Sequence, residues 1–490
     1  QVLMRARGCP VDVARLLAAR NAGVRRFDDW GGDARCGRVR RLPIAGRGQG
    51  LVATADIARG ELVLASKALG VVYEDELPVP EAEARSLPGG QRTRLGHAAL
   101  AQKLRAALSS AGCAGQVLAP GGTLRQLFSL FDGTSDGYGL EAVRPHPDTQ
   151  SADGVRLGLD TDGSASLPTD LHERVVEEGV VAAIRVDVRR IMGILGVNSD
   201  DVWCFASACT GQRRRVEGCA VFGEPSWINH SFDANVVVTT ICDVILLWAT
   251  RGVREGEELT RSYATWSWDE EDLRQKLRRF GIGLEPCLRE SRQLVPQPAL
   301  DHSRWAPLCR LLASVEAEVY GGGGSLARCE GVLSRALIDF RPILAASGYL
   351  ELRVRLLLAD VQTRLRHLDG ALVEAEAVLQ LAHHCGAPAS EFGRYCVVLL
   401  LLAAGLHHAP PPSEAPAAHG TWQRAAAHLV KAAAELAAAF LGPQVEAFRG
   451  WVRCWFGASS PMEPLLALLP SDDGPGEAGG SAAVDLESLD

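Results

Sequence analysis

What the chain has little of narrows it first. Its 490 residues include 13 cysteines, yet no two stand as a Cys-x-x-Cys pair. Most lie in apolar runs, where cysteine acts as a small buried hydrophobe, so the spacing does not describe a disulfide framework and a reducing compartment fits it. Positive charge is not in excess. Lysine and arginine number 51 against 59 acidic residues, a net charge of −8. A dedicated nucleic-acid binder needs that excess to displace counterions, so no direct nucleic-acid contact is expected. Basic clusters at Arg213, Arg214 and Arg215, and around Arg185, Arg189 and Arg190, read as solvated helix and loop faces. The longest apolar run, 396–406, falls short of the roughly 20 residues a membrane span needs. No basic-then-apolar leader opens the sequence. The expectation is an intracellular protein, nuclear, cytoplasmic or both, with no membrane partner.

What is present is ordinary globular composition, 47% hydrophobic and 22% charged, in a chain long enough for two or three domains of about 150 residues each. Between 35 and 73 short strand-like runs alternate with glycine turns. Leu51-Val52-Ala53, Glu61-Leu62-Val63-Leu64 and Gly70-Val71-Val72-Tyr73 are the clearest. From 78 to about 198 the apolar spacing is helical, with a polar excursion at 132–170. Strand character returns at Cys219 and fills 236–241 and 244–248. Positions 269–279 read as a charged helix. Beyond Pro286 the chain is Ala- and Leu-rich helix to about Leu469. A helix pair at 358–381, with small Ala375 and Ala382 beside its turn, resembles one tetratricopeptide unit without a clean 34-residue period. The tail from Ser471 has a disordered composition.

Three segments carry chemistry. The first, Gly46-Arg47-Gly48-Gln49-Gly50-Leu51-Val52-Ala53, lets backbone approach a ligand closely because no Cβ intervenes. It opens a strand and not a helix, which excludes a dinucleotide loop, and a plain glycine-rich turn stays open. The second, Ser226-Trp227-Ile228-Asn229-His230-Ser231-Phe232-Asp233-Ala234-Asn235, gathers an amide, an imidazole and a hydroxyl at a strand end. Such a set suits a zwitterionic or adenine-bearing ligand, and also an Asx-rich turn. The third, Gly256-Glu257-Glu258-Leu259-Thr260-Arg261-Ser262-Tyr263, turns into a short strand ending in a tyrosine. A lone tyrosine there is usually a packed aromatic with a wet tip.

Taken together and in this order, the three segments resemble the SET domain of protein-lysine methyltransferases. The helical insert and helical C-terminal part are similar to the SET-and-MYND class with its tetratricopeptide-like region. The fold so implied is α+β: a SET β-clip fold of short strands with a helical insert, then an all-α, tetratricopeptide-like C-terminal domain. Its boundaries would be an N-terminal helical extension at 1–34, the SET domain at 35–264 with the insert at about 78–200, and a degenerate post-SET segment at 265–295. The helical domain would occupy 296–469 and an acidic tail 470–490. The resemblance implies S-adenosyl-L-methionine as cofactor and a protein or peptide lysine, possibly of a histone, as substrate. It sets Arg47, Gln49 and Gly50 against the methionine part of the cofactor, and Asn229 and His230 at its amino group and adenine. Tyr263 would be catalytic. Phe232, Phe280 and Ile282 would line the lysine channel, and the C-terminal helices would dock protein partners. A SET-fold scaffold that has lost transferase activity is the alternative.

The chain departs from that class in two respects. It shows no MYND finger, and the four post-SET zinc ligand positions fall on Phe232, Leu284, Pro286 and Arg289. No metal is therefore expected, and apolar packing of Phe232, Phe280, Ile282 and Leu284 is expected in its place. Three other features are set aside. Gly133-Thr134-Ser135-Asp136-Gly137 lacks the strand–turn–helix setting of a hydrolase elbow. The pairs His383-His384 and His407-His408 have no ligand partner at metal spacing, and Cys204, Cys209 and Cys219 read as buried thiols.

Overall fold

The computed structural model describes residues 11–28, 34–35, 38–79, 89–109, 127, 130, 188–206, 214–263, 270–278, 280–283, 302–321, 324–346, 348–384, 392–409, 416–442, 444–456 and 460–469. Its N-terminal half runs α1 (Val13–Asn21), β1 (Ala34–Arg35), β2 (Val39–Ile44), β3 (Gly48–Ala53), β4 (Leu62–Lys67), β5 (Gly70–Tyr73), α2 (Gly89–Ser109) and α3 (Val188–Asn198). There follow β6 (Ser199–Ala206), β7 (Arg214–Val221), β8 (Asn229–His230), β9 (Val236–Ile241), β10 (Val244–Ala249), β11 (Thr260–Arg261) and α4 (Glu270–Arg278). The rest is helical: α5 (His302–Gly321), α6 (Leu326–Asp339), α7 (Arg341–Ala346), α8 (Gly348–Leu365), α9 (Leu368–His384), α10 (Phe392–His408), α11 (Pro416–Leu441), α12 (Val445–Phe456) and α13 (Glu463–Leu466). This is the α+β order expected, short strands first and helices after.

The strands form four small sheets, ordered β1-β4-β10-β9, β5-β7-β6, β2-β3 and β8-β11. Among the described residues only β8 with β11 runs parallel, pairing Asn229 with Thr260 and His230 with Arg261. Strand β10 is buried throughout. That explains its continuous Val-Ile-Leu-Leu-Trp-Ala run, since a strand covered on both faces needs no alternation. The site sits above a cluster of Leu51, Ile57, Leu64, Ile228, Leu247 and Leu259, all nearly inaccessible to solvent. Strand character begins earlier than Cys219: β6 spans Ser199–Ala206 and β7 begins at Arg214. Their alternation is real but masked by charge. Val202, Cys204 and Val216 point inward while Asp201, Arg215 and Glu217 point out. Arg215 is thus on a strand face, its guanidinium 4.8 Å from the Trp203 ring centroid.

The C-terminal helices are built into the strand layers. Helix α11 lies across β9 and β10, where Thr239 Oγ1 donates to the Phe440 carbonyl. Past its end Gly442 takes φ +78°, and a Cβ there would stand 2.7 Å from the Trp248 ring. Helix α12 packs on α1, with Asn21 Nδ2 donating to the Gly450 carbonyl at 3.3 Å. Helices α5 to α8 enclose a core of their own around Leu308, Leu312, Leu333 and Leu357. Helices α8 and α9 turn at Arg366, φ +65°, and Ala375 and Ala382 are buried. The apolar run 396–406 is α10, whose inward residues include Cys396, Leu399 and Leu402, each 0% exposed. Among the described residues no single helix is long and apolar enough to cross a membrane.

Candidate functional site

The glycine loop is the β2–β3 hairpin. Arg47 N–H closes the turn on the Ile44 carbonyl at 3.0 Å, and Gly46 and Gly48 take φ +71° and +72°, values that disfavour any residue with a Cβ. Gly50 is needed for a different reason. A Cβ on it would lie 2.6 Å from Ile44 Cγ1 and 3.0 Å from both Asn229 Nδ2 and Glu258 Oε1. Glycine at 50 is what allows the hairpin to close on the other two segments.

Those segments meet it through polar side chains. Asn229 Nδ2 donates to the Gln49 carbonyl at 3.2 Å and to Glu258 Oε1 at 2.7 Å. Arg47 Nη1 donates to the His230 carbonyl at 3.2 Å and lies 3.7 Å from Glu258 Oε2. The Tyr263 N–H donates to His230 Nδ1 at 3.1 Å, and the Tyr263 hydroxyl donates to the Ile228 carbonyl at 2.6 Å. Arg47, Gln49, Asn229, His230 and Tyr263, far apart in sequence, are therefore joined in one hydrogen-bonded cluster, with Gly50 packed closely against Asn229 and Glu258.

The electrostatics of His230 are specific. Burial, and then the nearby Arg47 charge, push its pKa down to about 4, because both disfavour the imidazolium. The ring is neutral at pH 7. Accepting at Nδ1 requires the proton on Nε2, and Nε2 is buried with no hydrogen-bond partner. A buried unsatisfied donor costs free energy unless something accepts from it.

An aromatic chain borders the cluster. The His230 and Phe232 rings meet edge to face at 4.5 Å between centroids. His230 and Tyr263 are 5.4 Å apart, and Tyr263 and Phe280 4.8 Å. Phe280 thus packs on the tyrosine directly, and Phe232 reaches it through the His230 ring. Ile282 follows half-buried past α4, its N–H on the Leu277 carbonyl at 3.3 Å. Leu284, Pro286 and Arg289 lie outside the described residues, as do Cys209, the 133–137 segment, the acidic tail and the side chains of His383 and His384. The His407 and His408 rings stack edge to face at 4.9 Å, and His408 Nε2 lies 3.1 Å from the Pro461 carbonyl. Among the described residues no group of three or more His, Cys, Asp or Glu is arranged for a metal. The Cys204 thiol is buried and that of Cys219 half-buried, and burial raises their pKa to about 11 and about 12.

Glu258 and Asn235 lie within the second and third motifs, but their sequence setting gave them no role of their own. Glu258 bridges Asn229 and Arg47. Asn235, 1% exposed, donates to the Glu258 carbonyl at 2.8 Å and to Glu257 Oε1 at 3.0 Å, and accepts from Thr260 N–H at 2.8 Å. The doubled Glu257-Glu258 after a glycine turn was the visible signal. A cavity of about 320 Å³ exists elsewhere, between α5, α8 and α10, lined by Tyr320, Asp360, Arg364 and Arg394. Its arginines are already engaged, Arg364 by Asp360 and Arg394 by Glu316.

Residues 48–264 match the SET domain family, a span that opens on the glycine loop and closes just past Tyr263. No curated protein matches the chain. Two solved structures align over most of it. One is the SET domain of LSMT bound to lysine and AdoHcy, at 11% identity and TM-score 0.24, over 86% of this chain and 92% of that one. The other is Rubisco LSMT bound to AdoMet, at 14% identity and TM-score 0.24, over 86% of this chain and 94% of that one.

Proposed function

We propose, from the SET domain that residues 48–264 form, that this chain transfers a methyl group from S-adenosyl-L-methionine to the side-chain nitrogen of a protein lysine. The observation that carries the reading is the convergence of Arg47, Asn229, His230 and Tyr263 on one locus through direct hydrogen bonds. The donor set fits a zwitterionic nucleoside. Arg47 would face the carboxylate. Asn229 spends its Nδ2 on Gln49 and Glu258, which leaves Oδ1 for an ammonium. The unpartnered His230 Nε2–H would donate to an adenine nitrogen. Gln49 and Gly50 would supply backbone at the methionine part.

The bound cofactor supplies an electrophilic methyl on a sulfonium; the rest falls to the chain. A lysine ammonium, with a pKa of about 10.4 in water, has no lone pair to attack with. Burial beside the apolar rings of Phe232 and Phe280, with Ile282 beyond, would lower that pKa by desolvation. A phenol that donates a hydrogen bond to the Ile228 carbonyl presents an electron-rich oxygen, which favours positive charge beside it. Orientation then accounts for much of the remaining barrier.

The test measures S-adenosylhomocysteine affinity and label transfer to a protein mixture for wild type and Tyr263→Phe. The expected result is similar affinity in both and a loss of transfer of about 100-fold in the variant. Tight binding with no transfer from wild type would instead identify an inactive SET scaffold whose C-terminal helices dock partners. Label on a side chain other than lysine would correct the substrate class. A histone is one candidate substrate among basic proteins, and intracellular placement follows from this substrate class.

A further inference from the structure

Against the Tyr263 ring lies an ion pair that strand pairing does not require. Arg261 Nη1 donates to Asp200 Oδ1 at 2.8 Å across 61 positions of sequence. The Arg261 guanidinium carbon stands 5.3 Å from the Tyr263 ring centroid, within cation–π range. Both side chains are largely withdrawn from water, 10% and 18% exposed. The pair is also incompletely satisfied, since Arg261 Nε and Asp200 Oδ2 are buried without hydrogen-bond partners. Such a pair is a poor stabiliser, because desolvating two charges offsets their attraction and orphaned atoms add to the cost. An apolar pair of similar volume would serve the fold as well or better. What calls for explanation is its place: Asp200 comes from β6, in the sheet flanked by the helical insert, and Arg261 stands two residues before the tyrosine.

We infer that Asp200 and Arg261 are positioning residues for Tyr263, Asp200 holding the guanidinium against the ring so that the phenol keeps its aim at the Ile228 carbonyl and the methyl-transfer locus. The helical insert, through β6, thereby contributes to the geometry of the transfer site. The kinetic part of this inference rests on the methyltransferase reading; the structural part does not.

The test uses the full chain labelled with 3-fluorotyrosine. Six tyrosines give six fluorine resonances, and that of Tyr263 is identified by its absence in Tyr263→Phe. Two variants are compared with wild type: the double Asp200→Leu/Arg261→Met, which removes both charges, and Asp200→Asn, which keeps volume and removes one. The double variant should melt at or above the wild-type temperature and bind S-adenosylhomocysteine unchanged. Its Tyr263 resonance should nevertheless shift and broaden, and kcat should fall by about 100-fold, the cost of a misplaced catalytic group. Asp200→Asn should move the same resonance in the same direction, and it decides the matter if the double variant does not fold. An unmoved Tyr263 resonance in a folded variant overturns the inference, as does a kcat within about two-fold of wild type. If wild type transfers no methyl, the proposed function fails while the fluorine resonance still decides the positioning claim.

Discussion

Acidification should loosen the site through His230 before it unfolds anything else in the cluster. The group's pKa is 6.5 in the unfolded chain and about 4 in the folded one. Between those values the unfolded state binds a proton that the folded state refuses, so stability falls as pH falls. The contribution is fully present above pH 6.5 and is lost progressively down to pH 4, below which the loss levels off. Each unit of separation is worth about 1.4 kcal/mol, so the full loss is about 3 kcal/mol, with about 2 kcal/mol gone by pH 5. The structural consequence is local. A protonated Nδ1 cannot accept from the Tyr263 N–H, so the backbone that carries the tyrosine is released. The assay is urea denaturation at steps from pH 7.5 to pH 4, for wild type and His230→Asn. Asparagine can offer Oδ1 to the Tyr263 N–H and does not titrate. Other carboxylates titrate in the same window, so the quantity read is the difference between the two proteins. Wild type should lose about 2 kcal/mol more than the variant between pH 7.5 and pH 5. Parallel curves would refute the argument, for they would mean that His230 is not held neutral by its surroundings.

Two glycines give further tests. Gly50→Ala places a Cβ 2.6 Å from Ile44 Cγ1 and 3.0 Å from Asn229 Nδ2 and Glu258 Oε1. It should weaken S-adenosylhomocysteine binding by about tenfold or more, equivalent to 1.4 kcal/mol, measured by calorimetry, with wild-type affinity contradicting the role given to the hairpin. Gly442→Ala must hold φ near +78° and meet the Trp248 ring at 2.7 Å. Left-handed strain and overpacking together predict a loss of about 3 kcal/mol in chemical denaturation, although the position is far from the chemistry. An unchanged midpoint would show that α11 does not bear on the strand layer as described.

The sequence made the site legible where its chemistry is local. Glycine clusters, Asn229-His230 and Glu257-Glu258 before Tyr263 sit within a few residues of a turn or strand end, and turn chemistry is a short-range property. Strand β10 was legible for a similar reason, since an unbroken apolar run bounded by turns marks a strand buried on both faces. Strand β6 was not. Asp200 and Asp201 lead it, and the inward Val202 and Cys204 are too few to establish a period of two beside a helical stretch. Nor could Asp200 be assigned to Arg261, because a contact across 61 positions leaves no periodic trace in either segment. The packing of α11 on β9 and β10 was likewise invisible: Ala- and Leu-rich helix specifies an apolar face without naming what covers it.

The parallel pair β8–β11 shows why polar side chains dominate the motifs. Each strand contributes two residues, too short a ladder to hold two segments together. The join is made instead by side chains that bond backbone. Asn235 takes the Thr260 N–H and gives to the Glu258 carbonyl, His230 takes the Tyr263 N–H, and Tyr263 gives to the Ile228 carbonyl. Each of these bonds pairs a backbone group beside the short ladder, and loss of the side chain would remove that partner. The same residues that line the locus are therefore the ones that fasten it. A substitution such as Tyr263→Phe removes a fastening as well as a hydroxyl, and for that reason its effect on transfer has meaning only beside a measured cofactor affinity.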